Sequence, residues 1–148
     1  MYKTILVAID DSETSRSALA EALHIARTSN AKLYISHVAD ETMLNMHGHA
    51  LTNVVNLEGA VANIIQAGRK LLDQAMTQAE GINAETLILE ARNRRVSETI
   101  SEKAKELNVD LIVIGRHGQR GLATLILGSV AEQLAKIADA SVLLVRKH

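Results

Sequence analysis

Five short apolar runs of strand length alternate along the chain with four longer stretches whose apolar residues recur every three or four positions. This alternation limits the accessible folds more than any other feature of the sequence. Ile5-Leu6-Val7-Ala8-Ile9 is nearly continuous, as expected of a strand buried on both faces. Lys32–Val38, Glu85–Glu90, Leu111–Ile114 and Ser141–Val145 read as further strands. Between them, Ala18, Leu19, Ala22, Leu23 and Ala26 form one apolar stripe within Ser15–Ser29. Val61, Ile64, Ile65, Leu71, Leu72, Ala75 and Met76 do the same over Glu58 to Ala79. Val96, Ile100, Ala104 and Leu107 mark a third helix, and Val130, Leu134 and Ile137 a fourth. One-sided stripes belong to helices packed on a sheet. The pattern β-α-β-α-β-α-β-α-β predicts an α/β fold, an open parallel sheet covered on both faces by right-handed crossovers. No repeat or linker divides the chain, so residues 1–148 are expected to form one domain.

Composition removes several functional classes. Sixteen Lys and Arg against seventeen Asp and Glu leave a net charge of −1, which argues against a nucleic-acid-binding surface. With no cysteine there is no disulfide scaffold, thiolate zinc site or cysteine nucleophile. Tyr2 and Tyr34 are the only aromatic side chains of the Phe, Trp and Tyr class, too few for a base-stacking platform. The apolar runs are far shorter than the roughly 18–20 residues of a membrane span, and the opening residues do not read as a secretory signal. A cytoplasmic setting without membrane insertion is expected.

Two stretches invite a functional reading. The first is 39–57, rich in His, Asn, Thr and Met, whose length suits a lid, a partner surface or a disordered segment. The second runs from Leu111 to Lys136, where a buried strand leads into Gly115, Gly118 and Gly121, and later into Gly128-Ser129 at a helix start. Ligands of open parallel sheets bind beyond the carboxyl ends of the strands, where the strand order reverses. Glycines there let backbone N–H groups approach an anion, and a helix N-terminus adds free donors and partial positive charge. Arg116, His117 and Arg120 are near enough in sequence to supplement such a site. A plainer reading stays open. Ser129 with Glu132 fits an S-x-x-E capping box, and Gly115 fits a simple strand-end turn.

Other clusters are weaker. Arg92, Arg94 and Arg95 read as a solvated helix start, and a third strand far from the glycine segment would keep them away from any phosphate. His37, His47 and His49 have no acidic or thiol partner at fixed spacing, so they make a poor zinc pattern. There is no Walker A lysine loop, no G-x-S-x-G elbow and no H-E-x-x-H, so fast phosphoryl transfer or hydrolysis is not expected.

Gly115-x-x-Gly118, then nine residues, then Gly128-Ser129 resembles the G-2x-G-9x-G-[S/T] nucleotide-binding signature of the universal stress protein family. The opening ILVAIDDSETSRSALAEAL, HVADE at His37–Glu41, and GSVAEQLAK followed by SVLLVRK resemble other parts of that family. The resemblance implies a five-stranded parallel sheet of order 3-2-1-4-5, a homodimer paired through the last strand, and ATP held between the first and fourth strands. Magnesium would ride on the ATP phosphates. Carried over by position, Asp10 lies on the ribose and adenine side, and Val38 meets adenine through its backbone. Ala8, Ile9 and Ile114 form apolar walls, while Gly115, Gly118, Gly128, Ser129 and Val130 surround ribose and phosphates. Asp10 also has a plain reading, as a turn or helix-start residue with Asp11 and Ser12. Two features depart from the family pattern. Arg92-Asn93-Arg94-Arg95-Val96 replaces the Gly-x-Pro that often precedes the third helix, and the proline common at the start of the last strand is missing.

The functional expectation is a nucleotide-dependent stress-response regulator that binds ATP, turns it over slowly if at all, and acts on an unidentified protein partner. The competing reading is a homodimeric interaction module whose glycine segment is only structural. The edge strand Ser141–Val145, followed by Arg146-Lys147-His148, is where such a module would pair.

Overall fold

The computed structural model describes residues 1–40, 57–116 and 128–147. The elements follow the predicted alternation: β1 (Thr4–Ala8), α1 (Glu13–Ser29), β2 (Lys32–Ala39), α2 (Leu57–Met76), β3 (Ala84–Glu90), α3 (Val96–Glu106), β4 (Leu111–Gly115), α4 (Ser129–Ile137) and β5 (Ser141–Val145). The five strands form one parallel sheet of order β3-β2-β1-β4-β5, as expected. Of the stretch 39–57, Ala39 ends β2 and Leu57 opens α2, while 41–56 lie outside the described residues.

The period-2 geometry of the central strands sorts their side chains into two cores. Ile5 and Val7 of β1, Leu33 and Ile35 of β2, and Leu111 and Val113 of β4 pack with α1 and α2. Leu6, Ile112 and Ile114 point the other way and pack with Ile100 and Ala104 of α3 and Ala131 and Leu134 of α4. Each fully buried Leu, Ile or Val is worth about 1.5–3 kcal/mol relative to exposure, so both faces of β1 and β4 hold the molecule together. Ser36, the fully buried polar side chain among the described strand residues, donates to the Val7 carbonyl oxygen at 3.0 Å. At the opposite, amino-terminal edge of the sheet, the Asp110 carboxylate accepts from the N–H groups of Lys3 (2.9 Å) and Thr4 (3.2 Å).

Local chemistry sets the boundaries. Ser12 caps α1, its hydroxyl accepting from the Ser15 N–H at 3.2 Å, and Asn30 ends the helix in the left-handed region at φ 52°. The second helix stops at Met76 rather than Ala79. Gln78 and Ala79 bond to the carbonyls three residues back, a turn pattern, and Gly81 follows at φ +78°. Before α3, where the family pattern has Gly-x-Pro, Arg92 and Asn93 both take positive φ (50° and 64°), and the Arg94 N–H donates to the Ala91 carbonyl at 2.9 Å. That is the backbone of a type I′ turn, built here without glycine.

Candidate functional site

The crossover from β1 leads to β2 on one side of it, and the crossover from β4 leads to β5 on the other. The chain therefore parts between the carboxyl ends of β1 and β4, the place where open parallel sheets form ligand crevices. A cavity of about 1140 Å³ opens there, at or just above the range of small-molecule sites. Ala8, Ile9 and Asp10 from the end of β1 line it, with Val38 from β2. Ile114, Gly115 and Arg116 enter from β4, and Gly128, Ser129 and Val130 from the start of α4. His117 and Gly118, also in the expected set, lie outside the described residues, as do Arg120, Gly121, His47 and His49.

Backbone bonds hold the two halves of the glycine segment together. The Arg116 N–H donates to the Val145 carbonyl at 2.8 Å, and the Gly128 N–H donates to the Arg116 carbonyl at 2.9 Å. The end of β4 and the start of α4 are thus adjacent through Arg116 and Gly128. The cap of α4 is Gly128, not Ser129, so the capping-box reading of Ser129 and Glu132 is one residue out of step. Glu132 instead completes the first backbone bond of the helix, to the Gly128 carbonyl at 2.9 Å, and its carboxylate accepts from Lys136 at 3.1 Å. With glycine at the cap, the cap residue brings no side chain to the first-turn N–H groups of α4.

Gly115, read from sequence as a phosphate-site glycine or a plain strand-end turn, also has a packing reason to lack a side chain. It is the last residue of β4, and a Cβ there would stand 2.7 Å from Thr14 Oγ1 and 3.0 Å from the Thr14 backbone carbon. The missing side chain lets the first turn of α1 lie directly on the strand. Asp10 proves to be a helix-start residue and a cavity residue together. Its Oδ1 accepts from the Ser12 N–H at 2.8 Å, and its own N–H donates to Ser15 Oγ at 2.8 Å. These bonds fix the carboxylate at the mouth of the crevice.

Sequence reading missed several wall residues. His37 Nδ1 lies 2.8 Å from the Ile9 carbonyl oxygen, so that nitrogen carries the hydrogen. Its ring packs under Gly68 of α2, where a Cβ would come within 2.6 Å of His37 Cδ2 and Ile88 Cδ1. A glycine inside a strongly periodic helix was the available signal for that close approach. Lys70, Leu71 and Gln74 of α2 also reach the cavity, and so does Arg95. Arg95 is exposed, as a solvated helix start implies, yet it lines the same cavity as Gly128 and Ser129. Ser97 is 1% exposed and donates to Gln133 Oε1 at 2.6 Å, tying the start of α3 to α4 across the cavity wall. Among the described residues no group of three or more His, Cys, Asp or Glu side chains is arranged to hold a metal ion.

Comparison with known proteins gives a consistent picture. The model of the universal stress protein family matches residues 1–146. Universal stress protein YxiE of Bacillus subtilis is 35% identical, over 99% of this chain and 100% of its own length. The solved structure of protein MJ0577 superposes with a TM-score of 0.83 at 25% identity, covering 100% of this chain and 98% of that one. That protein is the universal stress protein MJ0577 of Methanocaldococcus jannaschii. A universal stress protein from Archaeoglobus fulgidus, solved in complex with dAMP, shares the fold with a TM-score of 0.67 at 24% identity, covering 97% and 98% of the two chains.

Proposed function

The chain belongs to the universal stress protein family, and on that premise we propose that it binds an adenine nucleotide, ATP, in the crevice beyond β1 and β4 and uses its occupancy as a regulatory signal in the stress response. The observation that carries this reading is the composition of one cavity wall. Apolar surfaces from Ala8, Ile9 and Ile114, a fixed carboxylate at Asp10, and the uncapped start of α4 at Gly128 and Ser129 meet around one space of nucleotide size. These are the three kinds of contact a nucleotide needs: walls for the base, an acceptor for ribose hydroxyls, and N–H donors for phosphate. The dAMP complex of the Archaeoglobus fulgidus protein supports an adenine ligand in this fold.

In this reading Asp10 accepts from the ribose, and Val38 meets adenine through its backbone. Gly115, Arg116, His117, Gly118, Gly128, Ser129 and Val130 surround the ribose and phosphates. Magnesium arrives with the phosphates, since Mg²⁺ needs few protein ligands. The nucleotide acts through occupancy rather than turnover. We place the protein in the cytoplasm; among the described residues no helix is long and apolar enough to cross a membrane. A second copy of the chain pairs along β5, which is a terminal strand of the sheet, and an unidentified protein partner senses the loaded state.

Gly128→Val tests the site. A branched side chain at the cap of α4 intrudes on the phosphate position, so ATP affinity should fall roughly tenfold or more, the cost of losing a bond to a charged group. Circular dichroism confirms that the variant is folded. Unchanged affinity in the folded variant would place the nucleotide elsewhere. Wild-type protein that binds no nucleotide would favour the interaction module, with the β5 edge as its working surface.

A further inference from the structure

The turn that replaces Gly-x-Pro before α3 carries three arginines, and the structure gives them different surroundings. Arg92 is 79% exposed and lies 3.4 Å from the Glu90 carboxylate. Arg94 pairs with Glu102 on the outer side of α3. Arg95 forms no ion pair with a described residue, and it alone of the three lines the cavity. It is also the N-cap residue of α3, and no side-chain bond caps that helix. A cation at a helix N-terminus sits against the partial positive charge of the backbone, an arrangement that an anion would relieve.

The backbone of this corner is held in place. Ser97, two residues into α3, is buried and bonded to Gln133 of α4, and Gln133 is one helical turn beyond Ser129. The start of α3, where Arg95 sits, is therefore tied to the helix that begins at Ser129. Its acidic neighbour on α4, Glu132, is already engaged by Lys136 at 3.1 Å. Glu98 shares a smaller cleft with Arg95 but makes no ion pair with it.

We infer that Arg95 is a specificity residue of this chain's nucleotide site: lining the same cavity as Gly128 and Ser129, its guanidinium contacts the phosphate chain and sets a preference for polyphosphates over the nucleoside. A planar fork of N–H donors matches phosphate oxygens two at a time, which suits a site otherwise built from backbone amides. The inference rests on the nucleotide reading given above and adds a residue that lies outside the glycine signature.

The test is calorimetric titration of ATP, ADP, AMP and adenosine into wild type, Arg95→Gln, Arg95→Lys and Arg92→Gln. Arg95→Gln should bind ATP about tenfold more weakly, with adenosine unchanged and the loss growing with phosphate number. Arg95→Lys, which keeps the charge but loses the fork, should fall between wild type and Arg95→Gln. Arg92→Gln, changed outside the cavity, should match wild type. The loss of ATP affinity in Arg95→Gln should also shrink at high salt. Wild-type affinity for ATP in a folded Arg95→Gln, or an equal loss for all four ligands, would overturn the role of Arg95 while leaving the nucleotide reading intact. Wild-type protein that binds none of the four would overturn both.

Discussion

Replacing Gly115 with alanine tests the packing that positions the crevice. A Cβ on the last residue of β4 would stand 2.7 Å from Thr14 Oγ1 and 3.0 Å from the Thr14 Cβ and backbone carbon. A flexible side-chain tip could turn away, but a backbone atom in the first turn of α1 cannot move alone. The turn would lift off the strand, carrying Ser12 and Ser15, and with them the bonds that hold Asp10. Overpacking of this kind costs about 1–3 kcal/mol. The smaller entropy of alanine in the unfolded chain returns about 0.4–1 kcal/mol. Taking the middle of each range, the net expectation is a destabilisation of about 1.3 kcal/mol, or a fall in Tm of roughly 3–5 °C for a chain of this length. Urea unfolding followed by circular dichroism measures it. Thr14→Gly removes the Cβ and hydroxyl that the new methyl meets, so the double variant should recover part of the loss. A double-mutant cycle isolates that coupling. ATP affinity should weaken in Gly115→Ala and return in step with stability. A Gly115→Ala protein as stable as wild type would refute the close-approach account of this glycine.

Two further predictions concern the rest of the molecule. Arg92→Asn places a residue that tolerates the left-handed region where a long side chain now sits at φ 50°. It should raise stability by about 0.5 kcal/mol in urea unfolding, because the exposed Arg92 pair it removes is worth little. A lower unfolding midpoint would contradict the strain assigned to that turn. Glu13, at the start of α1, has its carboxyl held below the ordinary value of 4.5 by the hydrogen bond and charge of Lys147, 2.5 Å away. A depressed carboxylate contributes stability that is present above its unfolded pKa and lost as pH falls through the folded one. Glu13→Gln should therefore narrow slightly the gap in Tm between pH 7 and the acid side of 4.5, and the effect should vanish in high salt because the pair is exposed. An unchanged gap at low salt would deny the pair any role.

The fold was largely legible in the sequence because both of its periods are clean. Ile5 to Ile9 and Leu111 to Ile114 are apolar at every position, as strands covered on two faces must be, and each helix carries a single stripe. Helix ends were less legible. The stop at Met76 depends on a turn around Gln78 and Ala79 that leaves no periodic mark. The cavity lining was legible where glycine spacing reflects backbone geometry, and opaque where it depends on long-range contact. Nothing local to Gly115 announces Thr14, and nothing in the first-turn pattern shows that the cap of α4 is Gly128 rather than Ser129. Arg95 looked like surface charge because its route to the cavity runs through α3 and the Ser97–Gln133 bond, a tertiary contact between residues distant in sequence. His37 under Gly68 was hidden in the same way.

Titration of nucleotide-stripped, tag-free protein with Mg-ATP tests the central claim most directly. Adenine dominates the ultraviolet spectrum of a chain with two tyrosines and no tryptophan, so complete stripping is easily verified. One saturable site per chain, weakened by Gly128→Val, is the predicted result. No measurable binding up to millimolar Mg-ATP, in protein that is folded by circular dichroism, would contradict it.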